Sequence, residues 1–258
     1  MTASFPLAGT VASRLEHVTR TGSTNADLRA HAEDAEGWPH LSVLTTHDQA
    51  AGRGRLDRTW VAPAGSALAV SVLLRELPAA PTARGWIPLA AGAAMAAAVA
   101  EQLPGRDVAL KWPNDVLVDG RKICGILAEA TTGAVVLGAG VNTRMTAEQL
   151  PVPTATSFAV LGADVDEDRL LSGYLTTLDG YLSGLLQAGD AIASGLHDAV
   201  SARCATLAHT VRVSMPGDRV VEGTASRLDR EGRLVVVVDG AEHAISAGDV
   251  VHVRPAGS

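Results

Sequence analysis

The sequence predicts an α+β fold, in which a mixed β-sheet packs against helices and a small β-barrel follows at the C-terminal end. Three observations support this prediction: leucines recur at helical spacing, a hairpin signal stands in mid-chain, and short strands crowd the C-terminal end. At 258 residues the chain can bury a full core, as one large domain or as a large and a small one. We expect residues 1–207 to form the larger domain and residues 208–258 the smaller one.

Four segments are predicted to be helical, over about 24–36, 81–102 and 166–186 and in a last segment that ends near 207. The first begins with a hydroxyl at Thr24 and an acid three residues later at Asp27, a pattern typical of a helix N-terminus. The second is rich in alanine and glycine, and its most apolar run, residues 86–100, is shorter than the roughly 20 residues that cross a bilayer. We therefore expect a packed core helix there. The third carries leucines and tyrosines at helical spacing.

Strands are expected where β-branched and apolar residues cluster, over 42–46, 66–74, 116–118, 123–128 and 134–141. Asp119-Gly120, between two of these strands, is the strongest short hairpin signal in the chain. If this turn has two residues, Leu117 lies opposite Lys122. That register brings Lys122 within a few positions of Asn114 and Asp115 across the ladder.

After residue 208 the sequence changes to short strands separated by glycine-containing turns. The expected strands are 209–215, 220–226, 234–238, 242–245 and 250–253. The turns between them are Pro216-Gly217-Asp218, Glu231-Gly232, Asp239-Gly240 and Ala247-Gly248-Asp249. Five strands in so short a segment predict a small barrel.

Composition limits the class of function. The formal net charge of −7 argues against a general nucleic-acid binder, so a local group of arginines favours a small anionic ligand. Cys124 and Cys204 are too few for a disulfide framework and lack metal-ligand spacing. Cys124 lies in an apolar run, so we expect it to be a buried free thiol, as in a reducing cytosol. No basic segment followed by an apolar core marks a signal peptide. We expect a soluble, cytoplasmic protein without a membrane partner.

The segment Gln49–Trp60 places Arg53, Arg55 and Arg58 among small residues. In an extended chain Arg53 and Arg55 point the same way, and guanidinium groups bind phosphate through paired, charge-assisted hydrogen bonds. The glycines beside them let a ligand approach the main chain closely. Taken alone, such a segment is more often a solvated basic loop.

A second informative segment is Lys111-Trp112-Pro113-Asn114-Asp115, followed by Lys122 in the strand that contains Gly125. Pro113 fixes its own φ and restricts Trp112, so this is shaped backbone at a strand edge. A lysine near developing negative charge stabilises a phosphoryl-transfer transition state, and a glycine inside a strand often marks close approach of a ligand. Considered separately, the lysines are more often exposed strand residues and Trp112 a core residue.

Together, in this order and at this spacing, the segments resemble the catalytic domain of the biotin protein ligases. The family's glycine–arginine loop matches Gly52–Trp60, its lysine–tryptophan–proline–asparagine–aspartate signature matches Lys111–Asp115, and its lysine-bearing strand matches Arg121–Leu127. Its glycine–asparagine strand end matches Gly138–Asn142, and its biotin-contacting helix start matches Ser23–Asn25. The resemblance extends from about residue 15 to 255. It implies a class II aminoacyl-tRNA synthetase-like catalytic domain followed by an SH3-like barrel.

The resemblance implies an ATP-dependent, AMP-forming reaction in two steps. ATP and biotin, with Mg²⁺, give biotinyl-5′-adenylate and pyrophosphate, and a lysine of a biotin carboxyl carrier protein then attacks the adenylate to form an amide. The carrier would belong to a biotin-dependent carboxylase. The Mg²⁺ ion would come with the ATP phosphates, its protein ligands are left open, and a homodimer is compatible with the resemblance.

The implied site residues fall into a biotin group and a nucleotide group. The biotin group is Ser23, Thr24, Asn25, Gln49, Gly52, Arg53, Gly54, Arg55, Lys122 and Gly125, and the nucleotide group is Arg55, Arg58, Trp60, Lys111, Asn114 and Asn142. Lys122, Arg55 and Lys111 are the catalytic candidates, and Lys122 would contact both the biotin carboxyl and the α-phosphate. Because a carboxylate must attack an anionic phosphate, clustered cations have to offset the repulsion. Closure of the arginine loop would exclude water from the adenylate.

The chain departs from the family pattern in two places. Asp57 stands where family members often carry glycine before the third arginine, so pairing with Arg58 or Arg55 would change loop closure. Too few residues precede Ser23 for the helix-turn-helix domain of the bifunctional members. The sequence therefore predicts a monofunctional ligase without direct DNA binding.

Three alternatives remain open. A lipoate protein ligase would share the fold and the adenylation chemistry, but its family lacks both cationic segments. A nucleic-acid-binding module would use the arginine loop and the barrel, against the acidic net charge, and its binding would depend steeply on salt. A non-catalytic biotin-binding protein would lack one of Arg55, Lys111 and Lys122, all of which are present. The barrel would either clamp ATP or the carrier, or cap the main domain.

Overall fold

The structure, a computed structural model, describes residues 4–56, 58–215, 217 and 219–253. Asp57, Pro216 and Asp218 lie outside the described residues, so the predicted effect of Asp57 on loop closure stays a prediction. The helices are α1 (Ala8–Val11), α2 (Thr24–Ala30), α3 (Trp86–Gln102), α4 (Glu167–Ala188) and α5 (Leu196–Arg203), with a 3₁₀ turn at Pro81–Gly85. The helices accompany two β-sheets, one of seven strands and one of five.

The larger sheet is mixed, as predicted. Its strands are β1 (Arg14–His17), β2 (Ser42–Thr46), β3 (Leu68–Leu74), β4 (Val108–Lys111), β5 (Asp115–Val118), β6 (Arg121–Thr131) and β7 (Ala134–Val141). They lie in the order β1-β2-β3-β7-β6-β5-β4. The β1–β2 pair is parallel and the other pairs are antiparallel. This order places β3, β7 and β6 side by side at the centre of the sheet.

The smaller sheet contains the five strands expected after residue 208. They are β8 (Thr210–Ser214), β9 (Val220–Leu228), β10 (Leu234–Val238), β11 (Ala241–Ile245) and β12 (Asp249–His252). All its pairs are antiparallel, in the order β11-β10-β9-β8-β12. This arrangement is consistent with the small SH3-like unit that was predicted.

The hairpin between β5 and β6 has the predicted register. Leu117 pairs with Lys122, and the residues of Asp119-Gly120 have φ values of 49° and 75°, as a type I′ turn requires. A bulge beside Leu117 then shifts the register, so that Asp115 pairs with Gly125. The bulge brings an acid, a glycine and a lysine together at one end of the hairpin.

Helix α2 is shorter than the sequence predicted. It ends at Ala30 rather than near Glu36. The carbonyl groups beyond its end are bound by the Arg75 guanidinium, which donates to Ala32 O at 2.7 Å and to Asp34 O at 3.0 Å. Because these carbonyls have a side-chain partner, no further helical turn is needed to satisfy them.

Helix α3 is a core helix, as expected, packed between the larger sheet and α4. With the preceding 3₁₀ turn it forms a 22-residue apolar segment, Pro81–Gln102. By length and composition this is the one described segment that could cross a membrane, which corrects the prediction that the run is too short. Two thirds of its most apolar window (67%) is nevertheless buried inside the protein. The small side chains of α3 allow this close packing on both sides.

Three elements were not predicted: α1, β1 and β4. Each spans only four residues, so none carries enough periodicity to be recognised. Strand β4 is an edge strand that pairs with β5 and ends at Lys111. The lysine–tryptophan segment is therefore the end of a strand followed by a turn.

Two buried tryptophans connect the larger sheet and its helices to the turn between β9 and β10. Trp86, which begins α3, donates from Nε1 to Arg230 O at 2.8 Å. Trp112 donates from Nε1 to Gly232 O at 3.1 Å. Both rings are almost fully buried, at 0% and 2% exposure. These bonds fix the smaller sheet against α3 and the end of β4.

Replacing Trp86 with phenylalanine removes the indole N–H and leaves Arg230 O without its donor. We expect the free energy of unfolding to fall by about 1–3 kcal/mol, because an unpaired buried carbonyl and an underfilled site both destabilise. Urea denaturation followed by circular dichroism measures the change. The control is Val251→Ala on β12, at a position 60% exposed, which should stay within about 0.5 kcal/mol of the original. A Trp86→Phe protein as stable as its parent would contradict this role for the bond.

Candidate active site

A cavity of ≈180 Å³ lies on the larger sheet, between the start of α2, the arginine loop and the β5–β6 hairpin. Most of the residues predicted for the site line it: Ser23, Thr24, Asn25, Gln49, Arg53, Gly54, Arg55, Arg58, Trp60, Asn114, Lys122 and Gly125. Gly52, Lys111 and Asn142, also predicted, are not among the lining residues. The structure therefore gathers segments that are far apart in the sequence around one space.

The floor of the cavity consists of small residues on neighbouring strands. Gly140 of β7 pairs with Ala69 of β3 on one side and with Gly125 of β6 on the other. One step along the same face, Gly138 pairs with Ser71 of β3. These short side chains leave open space directly above the sheet.

The start of α2 supplies polar groups to one wall of the cavity. Ser23, rather than the predicted Thr24, caps the helix, with its Oγ accepting from Ala26 N at 3.4 Å. Ser23 has the extended backbone of a cap (φ −159°, ψ 121°), and Thr24 is the first residue of the helix. The N–H and the Oγ1 of Thr24 both donate to Gln49 Oε1, at 2.9 and 3.1 Å. Gln49 therefore turns its oxygen to the helix and keeps its Nε2 donor for other partners.

Asn25 lies flat on the glycine floor. Its side chain is buried, its Oδ1 is 2.6 Å from Ser71 Oγ, and a Cβ atom at Gly138 would meet Oδ1 at 2.5 Å. Only glycine at position 138 leaves room for the amide in this place. The helix start, which by sequence alone could be a simple cap, is thus packed against the cavity.

The arginine loop folds back over the sheet. Gly54 N donates to Arg58 O at 2.6 Å and Trp60 N donates to Gly52 O at 2.9 Å. The indole of Trp60 lies directly on Gly140, where a Cβ atom would come within 2.8 Å of the ring. Trp60 therefore braces the loop against the floor, as the resemblance implied. Gly52 has no room for a side chain either, because a Cβ atom there would collide with the main chain of Trp60.

Arg55 and Arg58 reach towards the smaller sheet. Arg55 donates to Asn114 Oδ1 at 2.8 Å and to Gly248 O at 3.3 Å. Arg58 forms an ion pair with Asp249, the first residue of β12, which itself lines the cavity. Burial lowers the pKa of Arg55, and the nearby Asp249 carboxylate opposes that shift by raising it. The smaller sheet thus contacts the loop and contributes a carboxylate to the site.

Lys122 reaches into the cavity next to an acid that the sequence reasoning left without a role. Its Nζ is 2.5 Å from Asp115 Oδ1. A Cβ atom at Gly125 would lie 3.0 Å from the same Nζ, so the glycine makes room for the lysine head group. This confirms the predicted juxtaposition of Lys122 with the end of the lysine–tryptophan segment.

Lys111 and Asn142 are near the site but not at the cavity wall. Burial lowers the pKa of Lys111, while Asp115 raises it and Lys122 lowers it, so Lys111 shares the electrostatic environment of the cavity. Asn142 is buried, and its Nδ2 donates to Thr156 O at 2.9 Å. Lys111 pairs with Asp115 in the β4–β5 ladder, and Asn142 is hydrogen-bonded to the segment around Thr156.

Three carboxylates at the site were given no role by sequence reasoning: Asp115, Glu129 and Asp249. Each pairs with a cation of the site, Asp115 with Lys122, Glu129 with Arg53 and Asp249 with Arg58. Asp115 was within reach of the hairpin register, whereas Glu129 and Asp249 are brought in by tertiary packing. Each of these cations is thus held in place by a local counter-charge.

Replacing Gly138 with alanine tests the packing of Asn25 on the sheet. We expect the free energy of unfolding to fall by about 1–3 kcal/mol, because the added methyl group overpacks a buried contact. Gly22→Ala is the matched control, since a Cβ atom there would have no heavy atom within 4 Å. Denaturant unfolding of both variants measures the difference, and equal midpoints and slopes would refute the close contact.

Two family models match this chain. Residues 18–145 match the biotin/lipoate A/B protein ligase family, and residues 209–253 match the biotin protein ligase C-terminal domain. The biotin–[acetyl-CoA-carboxylase] ligase of Mycobacterium tuberculosis is 40% identical over 250 residues, which cover 96% of this chain and 92% of that protein. The bifunctional ligase/repressor BirA of Escherichia coli is 31% identical over 212 residues, covering 78% of this chain and 63% of that protein.

Solved structures share the fold. The biotin protein ligase of Aquifex aeolicus in complex with biotin and ATP matches with a TM-score of 0.76 at 22% identity, over 94% of this chain and 99% of that one. The biotin protein ligase of Leishmania major in complex with biotin matches with a TM-score of 0.64 at 25% identity, over 91% of this chain and 99% of that one. The predicted fold class is confirmed. With two family matches and 40% identity to a ligase along nearly its whole length, this chain belongs to the biotin protein ligase family.

Proposed function

We propose that this chain activates biotin with ATP, as biotinyl-5′-adenylate, and transfers the biotin to a lysine of a biotin carboxyl carrier protein. The observation that carries the proposal is the cavity in which Arg55 and Lys122 converge beside the polar start of α2. The M. tuberculosis relative is named as a ligase of acetyl-CoA carboxylase, which supports a carrier domain of such a carboxylase as partner. The Aquifex structure holds biotin and ATP in the same fold.

The two ends of the cavity suit the two parts of the substrate. The start of α2, with Ser23, Thr24 and Asn25, and the Gln49 amide offer donors and acceptors for the ureido ring of biotin. Arg55 and Lys122 offer positive charge for its carboxylate and for the α-phosphate of ATP. The glycine floor between them leaves space for the thin, apolar middle of the ligand.

In the first step an oxygen of the biotin carboxylate attacks the α-phosphorus, and the bond from phosphorus to the pyrophosphate oxygen breaks. Both reactants are anionic, so the transition state gathers negative charge next to the attacking carboxylate. Lys122 Nζ and the Arg55 guanidinium lie where they can offset this charge. Asp115 and Asn114 hold the two cations in position before the substrates bind.

In the second step the amine of the carrier lysine attacks the acyl carbonyl of the adenylate. The bond from the carbonyl carbon to the phosphate oxygen breaks, AMP leaves, and the amine loses a proton. Before the carrier arrives, the mixed anhydride must be kept from water. The arginine loop, braced by Trp60 and held to the smaller sheet through Arg55 and Arg58, is placed to cover it.

We include Mg²⁺ in the proposal as an ion carried by the ATP phosphates. Among the described residues no group of three or more histidine, cysteine, aspartate or glutamate side chains could hold a metal ion. Mg²⁺ generally keeps several waters and binds through one or two carboxylates together with substrate phosphates. Asp115, at the cavity wall beside Asn114, is the carboxylate we assign to it. When bound, the ion would neutralise part of the phosphate charge.

We also propose a cytoplasmic location. Both cysteines are free and buried in the structure, as a reducing compartment allows. Burial raises the pKa of the Cys124 thiol to about 12, so this side chain is an inert core residue despite its position beside Lys122.

Lys122→Ala should slow adenylate formation severely and leave the fold intact. The loss of one such electrostatic contact lowers the rate by about 10²–10³-fold, because the negative charge of the two reactants is brought together in the transition state. Single-turnover formation of biotinyl-5′-adenylate, separated by chromatography, measures the rate. Arg121→Ala, at the neighbouring residue, whose side chain is exposed and donates to Pro153 O, is the matched control and should act as the parent does. Near-normal adenylate formation in Lys122→Ala would remove Lys122 from the mechanism.

Arg55→Gly should leave adenylate synthesis partly working but retain the intermediate poorly. The variant loses both the Asn114 and the Gly248 contacts, so the loop no longer closes over the adenylate. We expect biotin labelling of a bystander protein such as serum albumin to rise by about tenfold, since a lost charged hydrogen bond is worth roughly that factor. Arg20→Gly, at a position 68% exposed and paired with Asp48 outside the cavity, is the control. Labelling that stays confined to the carrier would show that the loop is not a lid.

A further inference from the structure

Glu129 is a largely buried carboxylate beside the cavity to which the reaction above assigns no part. It lies on β6, and only 17% of its side chain is exposed. Three donors surround it: Asn25 Nδ2 at 2.8 Å, Arg29 Nη1 at 3.1 Å and Arg53 Nη2 at 3.1 Å. One carboxylate therefore joins the sheet to helix α2 and to the arginine loop.

The first consequence concerns the orientation of the Asn25 side-chain amide. A carboxylate only accepts hydrogen bonds, so the Nδ2 end of Asn25 must point to Glu129. The Oδ1 end then points towards the Ser71 hydroxyl, 2.6 Å away. Asn25 is 4% exposed and rests on Gly138, so the amide has no room to move aside. Nδ2 also lies 3.5 Å from Leu127 O, a longer contact than the one to Glu129. Glu129 is thus the stronger of the two acceptors that set which polarity Asn25 presents to a ligand in the cavity.

The second consequence concerns the arginine loop. Although Arg53 and Arg55 are two residues apart, their guanidinium groups bind different partners, Arg53 on Glu129 and Arg55 on Asn114. The charge of Arg53 is compensated at the rim of the cavity, whereas Arg55 points to the place where the phosphate is expected. Arg53 thus acts as the attachment of the loop to the sheet at the end nearer α2.

We propose that Glu129 is a positioning residue for the biotin end of the site. It fixes the orientation of Asn25 and attaches the arginine loop through Arg53, without touching biotin itself. This inference rests on the proposed function, because it takes the ligand beside Asn25 to be biotin. It assigns Glu129 an effect on biotin binding and none on the binding of ATP.

The test compares the full chain with its Glu129→Gln variant. Titration calorimetry gives the dissociation constant for biotin, and pyrophosphate release gives the KM values for biotin and for ATP. We expect biotin binding to weaken by about tenfold to a hundredfold, because a charged acceptor of three hydrogen bonds is lost. The KM for ATP should change by less than about twofold, since Arg55, which faces the nucleotide, keeps its own contacts with Asn114 Oδ1 and Gly248 O. A general loss of structure would not divide the two substrates in this way.

Arg29→Ala is the matched control, because it removes one partner of Glu129 and leaves Asn25 and Arg53 in place. The Arg29 side chain is 41% exposed, so its bond to Glu129 is screened by solvent and biotin binding should stay within about threefold of the parent. If Glu129→Gln does not fold, Glu129→Asp, which keeps the charge on a shorter side chain, should show the same division between biotin and ATP.

The outcomes separate this inference from the proposed function. A parent chain that neither binds biotin nor releases pyrophosphate would overturn the proposed function, and this inference with it. A parent that does both, together with a folded Glu129 variant whose biotin affinity is unchanged, would overturn this inference alone. An equal loss for biotin and for ATP would also overturn it, because the effect would then be structural.

Discussion

The site depends on the absence of side chains at the centre of the larger sheet. Gly138 and Gly140 of β7 lie two residues apart on one face, and Gly125 of β6 lies beside them. Asn25 rests on the first and Trp60 on the second, each at a distance that a methyl group would not allow. Helix α2 and the arginine loop can therefore close on the sheet while a thin space remains between them.

A second constraint follows from charge. Cations gathered around one cavity for two anionic substrates would repel one another if no counter-charges compensated them. Here Lys122, Arg53 and Arg58 each have a carboxylate partner, and Arg55 is held by neutral acceptors instead. The cations are thus fixed in position before a ligand binds. Their carboxylate partners also weaken their attraction for an anionic ligand. Since Asp249 belongs to the smaller sheet, that sheet takes part in holding the loop.

Local chemistry explains why some of this could be predicted. The Asp119-Gly120 turn dictates a two-residue hairpin, and with it the position of Lys122 relative to Asp115. Strand β7 was predicted over its whole length because its β-branched and small residues contrast with the turns at its ends. The burial of Cys124 was also predicted correctly, because a thiol within an apolar run of a strand packs in the core.

The features that could not be predicted depend on contacts between residues that are distant in sequence. Ser23 rather than Thr24 caps helix α2, and the Thr24 N–H donates to Gln49 on another segment. Helix α2 ends at Ala30, and Arg75 binds carbonyls of the residues that follow it. No local pattern marks Glu129 as the partner of Arg53, since the two residues meet only through the packing of α2 and the loop on β6.

The most direct test of the account is pyrophosphate release by the unmodified chain from ATP and Mg²⁺, with biotin, with lipoate and with neither. The account predicts release with biotin alone, because the polar start of α2 recognises a ureido ring and the cations activate a carboxylate. Release with lipoate in place of biotin would contradict the assignment of that wall to biotin. No release under any condition from a folded protein would contradict the claim that this cavity activates a carboxylate at all.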